Sequence, residues 1–400
     1  MIEAAPSDVV AWCSLSYVWG GDQLVKTTSD SLTRNRQGLA LSRLPSTIQD
    51  AVLVARKLGV LHIWVDSLCI VQDDLQDLAR ELKVMPQVYQ HASVTISAGS
   101  ANSVWEEFLQ DCNFLYTRFH TFILNYMSSS GRSGSFFMSP SHPPDVPDPL
   151  DSRGWTYQEQ LLSVRNLRYT TEGLKWVCRT CRKSEGGHTS HWTFTTDSVI
   201  VETDSVIIET DVPCVEGRSM QPWWRLVAAY TIRQLTFPSD KLLAISAIAQ
   251  VYQSSSRLTY LSGLWKERLP QDLCWSVSKD CKRTCRPGEF RAPSWSWAAV
   301  DSELKMWMHA FSPKAIDIKA DGAELEGFSG SSASVTESSF GQVTDTVITI
   351  KGKVALAMWQ RNKQIVLLGG EEFHGVGDAL EEGWSQNEGE TKDVLQSYFW

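Results

Sequence analysis

The residues of this chain with the means to do chemistry gather near the ends of its first two apolar segments. Cys69 follows Asp66 by three positions on one loop, and a thiolate there would be a nucleophile. Its setting, Leu-Cys-Ile, favours a buried structural cysteine instead, because apolar surroundings hold a thiol protonated. Asp66 closes the second apolar run, Tyr17 and Trp19 stand at the end of the first, and Glu81 lies on the helical segment after the second. Loops at strand ends converge in parallel sheets, so Asp66, Trp19 and Glu81 could border one crevice. Each also has a plain structural role: Asp66 capping a turn with Ser67, Trp19 in the core, Glu81 on a solvated helix face. Further along, Cys178-Arg-Thr-Cys181 precedes His188 and His191, and Cys281 with Cys285 forms another pair. The gap to His188 is short for a zinc finger and Cys178 falls on a strand pattern, so no metal site is expected.

Several reaction classes leave no signature. The chain has no Gly-x-x-x-x-Gly-Lys-Ser/Thr loop, no Gly-x-Gly-x-x-Gly between strand and helix, no Gly-x-Ser-x-Gly elbow and no His-Glu-x-x-His. A net charge of -9 repels phosphate backbones, which argues against a nucleic-acid partner. No apolar run approaches the roughly 18 to 20 residues of a membrane span. The N-terminus lacks a basic start followed by an apolar stretch, and nine cysteines without an Asn-x-Ser/Thr site suit a reducing compartment, so a cytoplasmic protein with free thiols is expected. The 17 tryptophans, Trp295 and Trp297 among them, are read first as core packing.

The elements that must position these residues follow from periodicity. Residues 13–19 predict a strand ending in the Gly20-Gly21-Asp22 turn. Ile48, Ala51, Val52, Ala55 and Leu58 recur at helical spacing up to the stop at Gly59. Residues 60–65 form a β-branched and apolar run expected to be buried on both faces. A second helix is expected over 73–90, kinked or ended early by Pro86, and then a strand over 93–98. Strand and helix alternate, which points to a parallel sheet. Residues 101–150 lose that order and read as a long loop or boundary. Beyond it the pattern predicts a helix over 154–162, a hairpin of 167–169 with 174–178, helices over 223–235 and 239–252, and a strand over 345–350.

Ser-Leu-Ser-Tyr-Val-Trp-Gly (14–20), Leu-Pro-Ser-Thr-Ile-Gln-Asp-Ala (44–51) and Ile-Trp-Val-Asp-Ser-Leu-Cys-Ile-Val-Gln-Asp-Asp (63–74) resemble successive blocks of the fungal heterokaryon incompatibility (HET) domain. Ser152-Arg153-Gly154-Trp155-Thr156-Tyr157-Gln158-Glu159 resembles its Arg-Gly-Trp-x-x-Gln-Glu block, and Pro238-Ser-Asp-Lys, Leu261-Ser-Gly-Leu-Trp and Arg291-Ala-Pro-Ser-Trp-Ser-Trp-Ala resemble the region downstream of it. Two departures stand out: unrelated residues follow Ala98 where the family has a glycine-rich segment, and Leu78 replaces a usual tryptophan.

The resemblance implies an α/β fold, a parallel-type sheet with flanking helices similar to Toll/interleukin-1 receptor (TIR) domains, followed by an α+β C-terminal region. It implies a HET domain over 1–180, with 101–150 a divergent loop or insertion, and a downstream region over 181–400. It further implies allorecognition and regulated cell death through self-association or protein partners. The likeness to TIR domains adds an alternative, NAD as a substrate cleaved with Glu81, and Tyr17, Trp19, Gly20 and Asp66 shaping a pocket in which a carboxylate stabilises an oxocarbenium-like centre. A third possibility is an inactive regulator. Cys69, Gln72, Arg153, Gly154, Trp155, Gln158 and Glu159 are expected to be structural members of the family motifs.

Overall fold

A computed structural model of the chain describes residues 10–109, 122–138, 147–179, 181–184, 222–269, 271–273, 275–277 and 287–306, with the strand backbones at 199–202, 207–210, 324–332, 343–351, 357–359, 364–367 and 372–374. The chain divides into two compact units, Met1–Thr195 and Thr196–Trp400.

The first unit is built on a six-stranded sheet. Its elements are β1 (Trp12–Ser16), α1 (Ser29–Gln37), α2 (Ser46–Lys57), β2 (His62–Trp64), α3 (Asp66–Cys69), α4 (Leu75–His91), β3 (Val94–Ala98), β4 (Phe122–Met127), β5 (Ser133–Met138), α5 (Trp155–Leu162), β6 (Arg165–Thr170), β7 (Gly173–Cys178) and β8 (Arg182–Ser184). The sheet order is β2-β1-β3-β6-β7-β8, with β4 and β5 as a separate hairpin. β2, β1, β3 and β6 run parallel, and β7 and β8 add antiparallel at one side. The expected alternation of strand and helix thus gives a mostly parallel sheet.

The two faces of the sheet differ in chemistry, as the period of two in a strand requires. Cys13, Leu15 and Ile96 pack in one apolar cluster with Ile48, Ala51, Val54 and Ala55 of α2. That helix exists because these apolar side chains recur on one stripe, each fully buried one contributing about 1.5–3 kcal/mol if large. The alternate residues are small and polar: Ser14 Oγ and Thr95 Oγ1 lie 2.8 Å apart, Thr95 Oγ1 and Ser163 Oγ 2.6 Å, and the Ser97 hydroxyl donates to Asn166 Oδ1 at 2.8 Å. Ser163 ends α5, so α5 covers the hydroxyl-rich face and α2 the apolar one.

Three expectations are corrected. The run 60–65 is not buried on both faces: β2 pairs only with β1, at the edge of the sheet, and His62, Ile63 and Trp64 are all half-buried. Pro86 neither ends nor shortens α4, which continues to His91. Met85 and Tyr89 are buried on either side of it, and Asp74 caps the start by accepting from the amides of Gln76 and Asp77. Packing on both sides offsets the roughly 3 kcal/mol that an interior proline costs. In the second unit, Ser239 and Asp240 fall in a 3-10 turn, Pro238–Lys241, and the α-helix begins only at Ser246.

That second unit has an aromatic core. Trp223, Trp224, Trp265 and Trp297 are fully buried, with Trp265 edge-on to Trp223 at 5.0 Å and stacked on Tyr252 at 5.1 Å. Trp223 and Trp297 both donate their indole N–H to the Gly263 carbonyl, at 2.9 and 2.8 Å. His188, His191, Cys281 and Cys285 lie outside the described residues.

Candidate functional site

Asp66 lies just past the carboxyl end of β2 and opens α3, while Tyr17 and Trp19 lie just past the neighbouring end of β1. Adjacent parallel strands therefore deliver all three to one spot. The Tyr17 hydroxyl donates to Asp66 Oδ1 at 2.8 Å, the Ser67 amide donates to the same oxygen at 2.6 Å, and the Trp19 indole N–H donates to Oδ2 at 2.8 Å. Three donors thus occupy both oxygens of the carboxylate. Burial pushes the Asp66 carboxyl above its ordinary range, against the opposing pull of the Tyr17 hydroxyl, the Arg153 guanidinium and the Trp19 indole. Gln23 supports Tyr17 by donating to its hydroxyl oxygen at 3.0 Å. Burial, reinforced by the Asp66 charge, holds Tyr17 well above the usual phenol range.

The loops around this lock are clamped by their backbones. Thr27 N donates to Ser67 O at 2.9 Å and Gln72 N donates to Thr27 O at 2.8 Å. The Gln72 side chain donates to the carbonyls of Asp66 and Ile70, both at 3.1 Å. Gly20 has φ +72, and a Cβ there would meet the Ser103 Cβ at 2.2 Å and its Cα at 2.8 Å. Only glycine lets the loop after β1 turn against that segment.

The Arg-Gly-Trp block approaches from the other side. Arg153 Nη1 donates to the Tyr17 carbonyl at 2.7 Å, and its charge is felt by both Asp66 and Glu159. Gly154 is buried at the start of α5, Trp155 is half-buried, and Gln158 and Glu159 are buried. Glu159 has its carboxyl pushed up to about 7, first by burial and then by the Asp66 charge. Tyr89 and Ser16 face it; the Ser16 hydroxyl does so without meeting hydrogen-bond geometry, and the Tyr89 hydroxyl is given to the Leu15 carbonyl at 3.1 Å. Asp66 and Glu159 are thus an electrostatically coupled pair of carboxyls around one arginine.

Glu81 stands apart from this pair. It lies on α4 beside Arg80, whose Nε approaches its Oε1 at 3.4 Å, and its side chain is 20% exposed. Its carboxyl is raised by burial and by Asp77, with Arg80 opposing. Arg80 also pairs with Asp77, which accepts the Val71 amide at 2.8 Å. Cys69 is half-buried, receives the Val65 amide at 3.5 Å, and is pushed up to about 11 by burial, so its thiol stays protonated. Among the described residues no three His, Cys, Asp or Glu side chains gather as a metal site would require.

Spacing alone connected Asp66 with Trp19, and the fold brings them into direct contact. Sequence reasoning missed Gln23 and the coupling of Glu159 to Asp66. The signal for Glu159 was a carboxylate in the middle of a helix whose neighbours Tyr157, Gln158 and Leu162 are all buried.

No curated protein and no solved structure matches the chain. Residues 12–159 match the sequence model of the heterokaryon incompatibility protein (HET) family, a span that holds Tyr17, Trp19, Asp66, Arg153 and Glu159. Residues 12–159 are therefore a heterokaryon incompatibility (HET) domain.

Proposed function

We propose that this chain acts in heterokaryon incompatibility as an allorecognition protein that promotes regulated cell death through self-association or partner binding in the cytoplasm. The observation that carries the reading is the β4–β5 hairpin, where Ile123, Leu124, Tyr126, Met127 and Phe136 are all exposed, Met127 by 76% and Phe136 by 59%. Tyr126 stacks on Phe136 at 4.5 Å, which is little burial for a two-stranded hairpin that is marginal alone. Such a patch gains by being covered, as association surfaces do. The strand-end carboxylate fits the same reading, because Asp66 spends both oxygens on the domain's own donors and so serves as a brace. The parallel sheet with α2 and α5 over its two faces supports the likeness to TIR domains, and the net charge of -9 favours protein partners over nucleic acid.

Induced expression in hyphae tests this reading. The native chain kills, and a chain carrying Met127→Ser with Phe136→Ser does not, while sedimentation of the two purified proteins shows the association being lost. Equal killing by both chains would overturn it.

One observation favours a second reading, cleavage of NAD with Glu81 as the working carboxylate. Glu81 is held largely out of water and its carboxyl is raised, as a residue waiting for a cationic centre would be. Expression of the native chain would then deplete hyphal NAD, and Glu81→Ala would not. Healthy hyphae with unchanged NAD would point to an inactive regulator.

A further inference from the structure

Cys178 ends β7 and Cys181 immediately precedes β8, so the two thiols face each other where the antiparallel β7–β8 pair closes. The ladder runs Lys175 to Ser184, Trp176 to Lys183 and Val177 to Arg182, and one step further Cys178 N donates to Cys181 O at 3.0 Å. The sulfurs are 3.5 Å apart, neither is in a disulfide, and both residues are half-buried. Hydrogen-bonded cross-strand partners have Cα atoms about 5.5 Å apart, inside the range that a disulfide spans without moving backbone.

The other two described cysteines make a contrast. Cys13 is fully buried and burial pushes its thiol up to about 11, as it does for Cys69. Around the pair the surface is basic: Arg165 stands opposite Cys178 across the β6–β7 ladder, and Arg179, Arg182 and Lys183 lie between or beside the cysteines in sequence. A basic rim attracts an anionic disulfide reagent.

We propose that Cys178 and Cys181 are a reversible redox dithiol that exchanges with an anionic low-molecular-weight disulfide of the glutathione type. One thiol, as thiolate, attacks the reagent's S–S bond, forms a mixed disulfide and releases one glutathione thiolate. The second attacks the protein sulfur of that mixed disulfide, closes the Cys178–Cys181 bond and releases the second glutathione. The two protons lost by the cysteines end on the two released thiols, and excess reduced glutathione drives the steps backwards.

The test uses the full chain, reduced, desalted and equilibrated with glutathione and glutathione disulfide at graded ratios, then trapped with a thiol alkylator and mapped by peptide mass. The expected result is loss of two hydrogens in a peptide pair linking Cys178 to Cys181, reversed by reduced glutathione, while Cys13 and Cys69 stay unoxidised. Cys181→Ser should halt at a glutathione adduct on Cys178, with a far-ultraviolet spectrum matching the native chain. The proposal is overturned if the pair stays reduced at ratios that oxidise a dithiol peptide control, if another cysteine takes the partner's place, or if the purified chain carries one zinc ion that Cys178→Ser removes.

Discussion

Asp66 is the residue on which the ends of β1 and β2 are pinned, and its chemistry sets a measurable cost. Asp66→Asn replaces one acceptor oxygen with an amide that cannot serve all of Tyr17, Ser67 and Trp19. An unsatisfied buried donor costs about 1–3 kcal/mol, so amide exchange in β1 and β2 should speed up about tenfold to a hundredfold, and unchanged exchange would show that the three bonds are idle. Glu159 gives a prediction in pH. Its folded pKa of about 7 stands above the ordinary 4.5, so between those values the folded chain keeps a proton that the unfolded chain has lost. Stability from this group is full below the lower value and falls as pH rises to the upper one, by up to about 3 kcal/mol. Urea midpoints from pH 5 to pH 8 should therefore fall in the native chain relative to Glu159→Gln, and parallel profiles would contradict the assignment. Asp66 and Trp19 were legible in the sequence because residues at adjacent strand ends must meet. The Arg153 contact was not, since it joins positions 136 apart in the chain and depends on how α5 lands on the hydroxyl-rich face.

Among the elements, those with an apolar stripe were readable and those held by caps or edges were not. The α2 helix follows the spacing of Ile48, Ala51 and Ala55 almost to the residue. By contrast α1 has no such stripe: it is held by a capping box in which Thr28 and Ser31 exchange side-chain and backbone bonds, at 2.8 Å from Thr28 N to Ser31 Oγ. The run 60–65 looked like a central strand because its composition is apolar, yet composition cannot tell an edge from a centre when helices cover both faces. The loop after β1 carries the sharpest prediction at this scale. Gly20→Ala adds a methyl into Ser103 and an unfavourable positive φ, each costing about 1–3 kcal/mol, so the variant should unfold at clearly lower urea than the native chain. Gly21→Ala, with positive φ but open space around it, should cost less. Equal losses would mean that the close approach to Ser103 does not constrain the loop.

At the scale of the whole molecule, the HET domain and the aromatic core of the second unit are two separately packed bodies. The tryptophan-rich motifs of the second unit, read as packing from composition, do pack: Trp297 is fully buried, with its N–H satisfied by Gly263. What the sequence could not reveal was the exposed apolar hairpin at 122–138, because its Ser- and Gly-rich centre masks the alternation that marks strands. The central claim is that the domain kills through association, with Asp66 bracing the strand ends and Glu81 not cleaving NAD. Its most direct measurement is hyphal NAD and viability together, after induced expression of the native chain, of Glu81→Ala and of the hairpin variant at matched levels. The account predicts death with NAD unchanged for the native chain and for Glu81→Ala, and survival with the hairpin variant. A fall in NAD that precedes death in the native chain and disappears with Glu81→Ala would contradict it.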